Sequence, residues 1–185
     1  MSASRKLTNI RRSIQTHVGN SVIVDGVEYP IFHDYYYGDP EARRDATGTS
    51  EPAWIETFFI SQGAGRKGES ILQVDCYSRI GEEGSASGDP FGILVDDIAD
   101  AILTPFSGLN MDETRKASFH VMDYSDVQNP VDTGMCIYMI NSDGHVGEPE
   151  DRVRLNFEQD YRRVTLRLRF QLIQDMLGPA GFYVS

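Results

Sequence analysis

The segment YRRVTLRLRFQLI, residues 161–173, constrains the fold more than any other stretch of the chain. Val164, Leu166, Leu168, Phe170 and Leu172 alternate with Arg163, Thr165, Arg167, Arg169 and Gln171. A period of two belongs to a pleated strand and not to a helix. One face of the strand is wholly apolar and must be covered; the other carries three arginines.

Further strands follow from the same periodicity. AWIETFFIS (53–61) and SILQVDCYSR (70–79) read as a pair. In the second, Leu72, Val74 and Cys76 alternate with Gln73, Asp75 and Tyr77, as in a half-buried strand. SVIVDGVEYPIF reads as a hairpin turned at Asp25-Gly26. Pro30 implies an edge or a strand end, because it lacks an N–H. KASFHVMDYSD (116–126) and GMCIYMINSDG (134–144), joined by VQNPVDT, read as two more strands, and VRLNF precedes the last.

Two segments are helical. In SRKLTNIRRSIQTHV, Leu7, Ile10, Ile14 and Val18 form one apolar stripe, with Arg5, Arg11 and Arg12 on the wet side and Gly19-Asn20 as the stop. In FGILVDDIADAIL, Phe91, Leu94, Val95, Ile98, Ala101 and Ile102 share a face. Asp89-Pro90 is a strong start, with Asp89 as N-cap and Pro90 at the first helical position, and Pro105 ends the run. Asp96, Asp97 and Asp100 cluster elsewhere on this helix. No oxygen-rich calcium loop surrounds them, so they read as a solvated face or an ionic subunit contact.

The element order α-β-β-loop-β-β-α-β-β-β-β indicates an α+β fold, a mainly antiparallel β-sheet packed by two helices. It forms a single domain over 1–185 with long loops or arms. Residues 35–52 form an extended loop or arm, with a short helical turn expected after Asp39-Pro40 and with Tyr35, Tyr36 and Tyr37 at its root as an interface patch or as packing on the sheet. GEEGSASGDP (81–90) reads as a flexible linker, and 176–185 as a C-terminal tail ending in apolar residues.

Gly63-Ala64-Gly65-Arg66-Lys67-Gly68 fits the letters of a dinucleotide fingerprint. That fingerprint must open a helix whose N-terminus meets the phosphate. Here a strand follows, so the glycines read as a hairpin connection. Arg66 and Lys67 then sit at an exposed tip, able to contact a neighbour. No zinc-protease His pair and no G-x-S-x-G elbow occurs. No catalytic, cofactor-binding or metal-ligating set is expected, and no cofactor.

The net charge is −11, yet six of the 17 basic residues, Arg152, Arg154, Arg162, Arg163, Arg167 and Arg169, fall within 152–169. Acidity on this scale argues against a reader of duplex DNA. The uneven distribution suits steered self-association, or else marks a solvated strand face. Cys76 and Cys136 lie in β-like runs and read as two buried free thiols in a reducing compartment. No stretch approaches the ~20 apolar residues of a membrane span, and the N-terminus has no apolar core of signal length, so a cytoplasm is the expected compartment.

With these elements placed, the layout resembles the tail-terminator, or tail-completion, proteins of long-tailed bacteriophages. The resemblance is carried by AWIETFFIS…SILQVDCYSR, the acidic Gly/Ser linker, the helix ILVDDIADAIL, the N-terminal helix and the late strand RRVTLRLRFQL. In that family a Trp-led strand is followed by one of the L-Q-V-D-x-Y kind and a helix of the A-x-x-I-A-D-A-I kind. These stretches span more than half of the chain. The segments 35–52 and 127–134 are longer than a minimal member needs. The resemblance implies a non-enzymatic subunit of a hexameric ring at the head-proximal end of the tail tube. Its partners would be further copies of itself, the tail-tube protein and the head-completion or neck protein. The genome would pass through the lumen without specific binding. The location would be the virion, after assembly in the host cytoplasm.

A head-to-tail ring needs unlike patches on one subunit. Arg163, Arg167 and Arg169 against Asp96, Asp97 and Asp100 of the next copy are the expected pair. The alternatives are a head–tail connector or tail-tube protein, and, in a different class, a small cytoplasmic enzyme or ligand-binding domain whose pocket would gather His120, Cys76 and Asp75.

Overall fold

The computed structural model describes residues 3–34, 53–63, 68–80, 89, 91–106, 118–140, 151–156 and 161–174. The elements are α1 (Ala3–Val18), β1 (Ser21–Val24), β2 (Val27–His33), β3 (Ala53–Ser61), β4 (Glu69–Arg79), α2 (Ile93–Leu103) with a 3-10 turn at Thr104–Phe106, β5 (Ser118–Asp123), β6 (Val131–Ile140), β7 (Asp151–Asn156) and β8 (Tyr161–Gln174). The order is the one that periodicity predicts, and the fold is α+β with a mostly antiparallel sheet.

The strands form one sheet in the order β1-β2-β3-β4-β8-β6-β5, with β7 also on β8. Every pairing is antiparallel except β2 with β3, which are parallel over Ile31–His33 and Ile55–Thr57. That step crosses 35–52, so the expected loop, its helical turn and Tyr35–Tyr37 lie outside the described residues.

β8 is the spine. One of its edges pairs with β4 along Tyr161–Gln171. The other is shared: β6 pairs with Arg169–Gln174 and β7 with Arg162–Arg167. β6 and β7 therefore run in the same direction along a single lane.

The apolar face of β8 does what its alternation requires. Val164, Leu166, Leu168, Phe170 and Leu172 are all buried, in one cluster with Leu72, Val74 and Cys76 of β4 and Ile137 and Met139 of β6. Both helices cover this face. α1 contributes Ile10, Ile14 and Val18, and α2 contributes Val95, Ile98, Ala99 and Ile102. Full burial of each such Leu, Ile or Val side chain is worth about 1.5–3 kcal/mol.

Local chemistry sets the corners. Asp25 and Gly26 have φ of 50° and 80°, the paired positive values of a type I′ hairpin turn. Gly19, at φ 93°, closes α1 by donating its N–H to the Gln15 carbonyl at 2.9 Å.

Several expectations need correction. Pro30 lies inside β2, a strand placed between β1 and β3, so the expected edge is local to residues 27–30 rather than a whole edge strand. It is tolerated because the Ile31 N–H points to β1, bonding the Asn20 carbonyl, so the Pro30 nitrogen faces the β3 side, where pairing begins only at Ile31. Asp89 is not the N-cap of α2; Gly92 is, at φ 72°. Asp89 instead caps from outside the helix. Its carboxylate accepts from the Val95 N–H at 3.1 Å and the Ser78 hydroxyl at 2.8 Å, while its own N–H bonds the Arg79 carbonyl. The helix thereby starts three residues later than predicted, and Phe91 is exposed rather than packed. Cys76 is buried as expected and Cys136 is half-buried; both are free thiols. β4 is not half-buried: from Val74 to Ser78 both faces are covered.

Candidate functional site

The second face of the sheet, away from the helices, carries Arg163, Arg167 and Arg169. Cross-strand neighbours on β4 meet them: Tyr77 opposite Arg163, Gln73 opposite Arg167 and Ile71 opposite Arg169. Arg169 Nε lies 3.1 Å from a Glu69 carboxylate oxygen. Arg163 hydrogen-bonds the Tyr77 phenol. Arg167 is exposed. Asp97 and Asp100 are exposed and Asp96 half-buried on α2, which packs on the other face. The fold thus does not bring the predicted arginines and aspartates together within one chain; it holds them on opposite sides of the sheet. Arg66 and Lys67 lie outside the described residues.

Between the arginines and β3 is a buried polar cluster that sequence reasoning missed. Asp75 is 0% exposed and Glu56 1%, directly opposite each other on β4 and β3. Asp75 accepts from the Thr165 hydroxyl at 2.6 Å and the Gln73 amide at 3.0 Å. Glu56 accepts from the Trp54 indole N–H at 3.3 Å. Trp54 stacks on Tyr77 at 5.0 Å and meets Tyr161 edge-on at 5.3 Å. Burial pushes the Tyr77 phenol up, the Asp75 charge adds to this, and Arg163 opposes it. The available signal was the hairpin register: pairing Trp54 with Tyr77 puts Glu56 across from Asp75.

The two ends of the sheet differ. At the end of β5 two outward amides are occupied by α1. Ser13 Oγ accepts from the Met122 N–H at 2.9 Å and Asn9 Oδ1 from the Tyr124 N–H at 3.2 Å, while the Asn9 amide donates to Asp123 at 3.1 Å. Asn9 and Ser13 are buried polar residues for this reason. At β1 no described side chain plays that part, and the β1–β2 hairpin exposes Ile23 by 69% and Val27 by 49%. The β5–β6 hairpin exposes Val127 by 65% and Val131 by 66%.

His33 pins the β1–β2 end. One ring nitrogen bonds Thr57 Oγ1 and the other the Gly19 carbonyl, both at 2.7 Å. Nε2–H must be the donor to the carbonyl, which leaves Nδ1 to accept from the threonine. Burial holds the imidazole below its ordinary range.

The residues proposed for an alternative pocket are not gathered. Cys76 faces the helix-covered core, Asp75 faces the opposite side, and His120 is exposed on β5, bonded to Asp132 at 2.5 Å. Among the described residues no group of His, Cys, Asp and Glu could hold a metal ion, and no helix is long and apolar enough to cross a membrane. The glycine loop after β3 leads into β4 and not into a helix. A Cβ on Gly63 would lie 2.8 Å from the Glu69 backbone, so this glycine permits the two chains of the hairpin to approach. Neither a protein-family model nor a curated protein sequence matches the chain.

Proposed function

We propose that the protein is a virion assembly subunit of the tail-terminator kind, one that closes into a ring on the head-proximal end of a phage tail tube, stops its growth and offers a docking surface to the neck. It acts by association, without chemistry of its own. The observation that carries this reading is the pair of exposed aliphatic patches at opposite ends of one sheet, Ile23 with Val27 and Val127 with Val131. Patches at opposite ends of one subunit suit a head-to-tail contact, which closes into a ring where the rotation between copies closes. The acidic α2 and the arginine face, on opposite sides of the sheet, supply an unlike pair. An acidic lumen would let the genome slide.

The test is mass by light scattering over a concentration range, with and without tail tubes. A discrete ring, or a monomer that caps tubes and fixes their length, is the expected result. Polymers without limit would indicate a tube protein, and a monomer indifferent to tubes would refute both assignments.

A further inference from the structure

The two helices carry charge of opposite sign. α1 contains Arg5, Lys6, Arg11 and Arg12 and no acid, whereas α2 contains Asp96, Asp97 and Asp100 and no base. Both cover the same side of the sheet, at different ends: α1 packs on β5 and α2 on β1, the two outermost strands. The outward stripe of α2 is Ile93, Asp97 and Asp100, spaced as i, i+4 and i+7, and all three are exposed. Ile93 is 61% exposed and Phe91, just before the helix, 62%. Large apolar side chains set together and rimmed by charge mark a protein-binding surface. On α1, Arg11 and Arg12 stand away from the buried Ile10 and Ile14. Arg12 lies over the Tyr124 ring at 5.9 Å. Arg11 borders a groove of about 420 Å³ together with Asp34, Ser61 and Gln62. The Asp34 carboxylate there accepts from the Gln15 amide at 2.9 Å, and Arg11 Nε has no hydrogen-bond partner. Among the described residues no ion pair involves Arg11, Arg12 or Asp97. The β8 arginines differ, since Glu69 holds Arg169 and Tyr77 holds Arg163 within the chain.

We propose that the outer face of α2 docks on the outward face of α1 in a second copy of this chain, with Asp97 and Asp100 set against Arg11 and Arg12. Charge complementarity selects the partner: α1 is the helix whose outward cations lack a carboxylate of their own. Opposite charge steers the encounter and fixes the register, while Phe91 and Ile93 supply apolar burial. The two faces are unlike and sit at opposite ends of one layer, so each copy can offer α2 to one neighbour and α1 to the other. The inference rests on the ring reading and specifies which helices meet in it.

The experiment is a charge exchange in the full chain, read by light scattering with and without tail tubes. One variant carries Arg11→Glu with Arg12→Glu, the other Asp97→Arg with Asp100→Arg, and urea midpoints confirm that each folds. Either variant alone sets like charges against each other and should raise the concentration needed for association, or for tube capping, by about tenfold or more. An equimolar mixture restores the contact, because the acidic faces of one variant meet the basic faces of the other, and should assemble as wild type does. A single variant that assembles like wild type, or a mixture no better than its components, overturns the proposal. Asp97→Asn with Asp100→Asn, on an exposed face, serves if a reversal prevents folding: association should lose most of its salt dependence, and an unchanged dependence overturns the proposal. A wild-type chain that neither associates nor caps tubes overturns the ring and this contact together, whereas rings indifferent to these substitutions overturn the contact alone.

Discussion

The sheet ends in two different ways. At the end of β5, α1 takes up two outward amides through Ser13 and Asn9, that of Met122 in the strand and that of Tyr124 just past it. At β1 the outermost strand is four residues long and carries an exposed isoleucine. A bare edge invites unlimited pairing, and covering one end is a known way to prevent it. With the Met122 and Tyr124 amides taken, this end of β5 offers a poorer edge for another strand to join. What that end exposes is side chains, Val127 and Val131 of the hairpin. The difference leaves the two ends of the sheet unlike in kind, one with main chain at a short outer strand and one with α1 side chains on its amides.

This contrast can be broken most directly at the sealed end. Asn9→Ala with Ser13→Ala orphans two edge amides, at about 1–3 kcal/mol each, so a loss of about 3 kcal/mol is expected as a lower urea midpoint. Association at β5 should rise with concentration. A midpoint unchanged from wild type would mean that α1 does not close the edge. Asp89→Ala acts at the other end, where α2 packs on β1. It removes a cap and strands the Ser78 hydroxyl, for about 2 kcal/mol; exchange at the Val95 amide reports it.

His33 sharpens the comparison through pH. Its folded-state value lies below the ordinary 6.5 because burial disfavours the charged ring. The unfolded chain therefore binds the proton more readily, so this contribution is complete above about pH 6.5 and declines as pH falls below it. His33→Gln should cost about 1 kcal/mol at pH 8 and flatten that part of the stability profile. A slope that survives the substitution would assign it to another group. The smallest effects on folding come last. Ile23→Lys and Val127→Glu should each shift stability by no more than ~0.5 kcal/mol while weakening the proposed ring, measured by light scattering. An association state unchanged by both substitutions would remove these patches from the proposed interface.

Much of this fold was legible. The unbroken alternation in β8 named both its face and its partner type, and Asp25-Gly26 named its turn. Elements came out in order because periods of two and of 3.6 are local properties. What stayed hidden depends on neighbours. Asn9 and Ser13 look like the wet side of α1 until β5 is placed beside them. Asp75 looks like the solvent half of an alternating strand until Glu56, Gln73 and Thr165 gather around it. Asp89 was the right residue for capping α2 in the wrong position, because the left-handed turn at Gly92 separates the cap chemistry from the chain start. The arginines of β8 were placed on the correct face, but their partners on β4 required a register that spans most of the sequence.

The lane shared by β6 and β7 has a practical consequence. Ile140 pairs with Arg169 and Asp151 with Arg167, so the chain leaves and rejoins the ladder at points about 7 Å apart along β8. The ladder, not the connecting sequence, holds those two points together. Doubling the length of the connection costs only about 0.6 kcal/mol of closure entropy. The position between 140 and 151 is thus a natural port for cargo: an epitope, a fluorescent label or a whole inserted domain could be displayed there with the strand pairing on both sides left as it is.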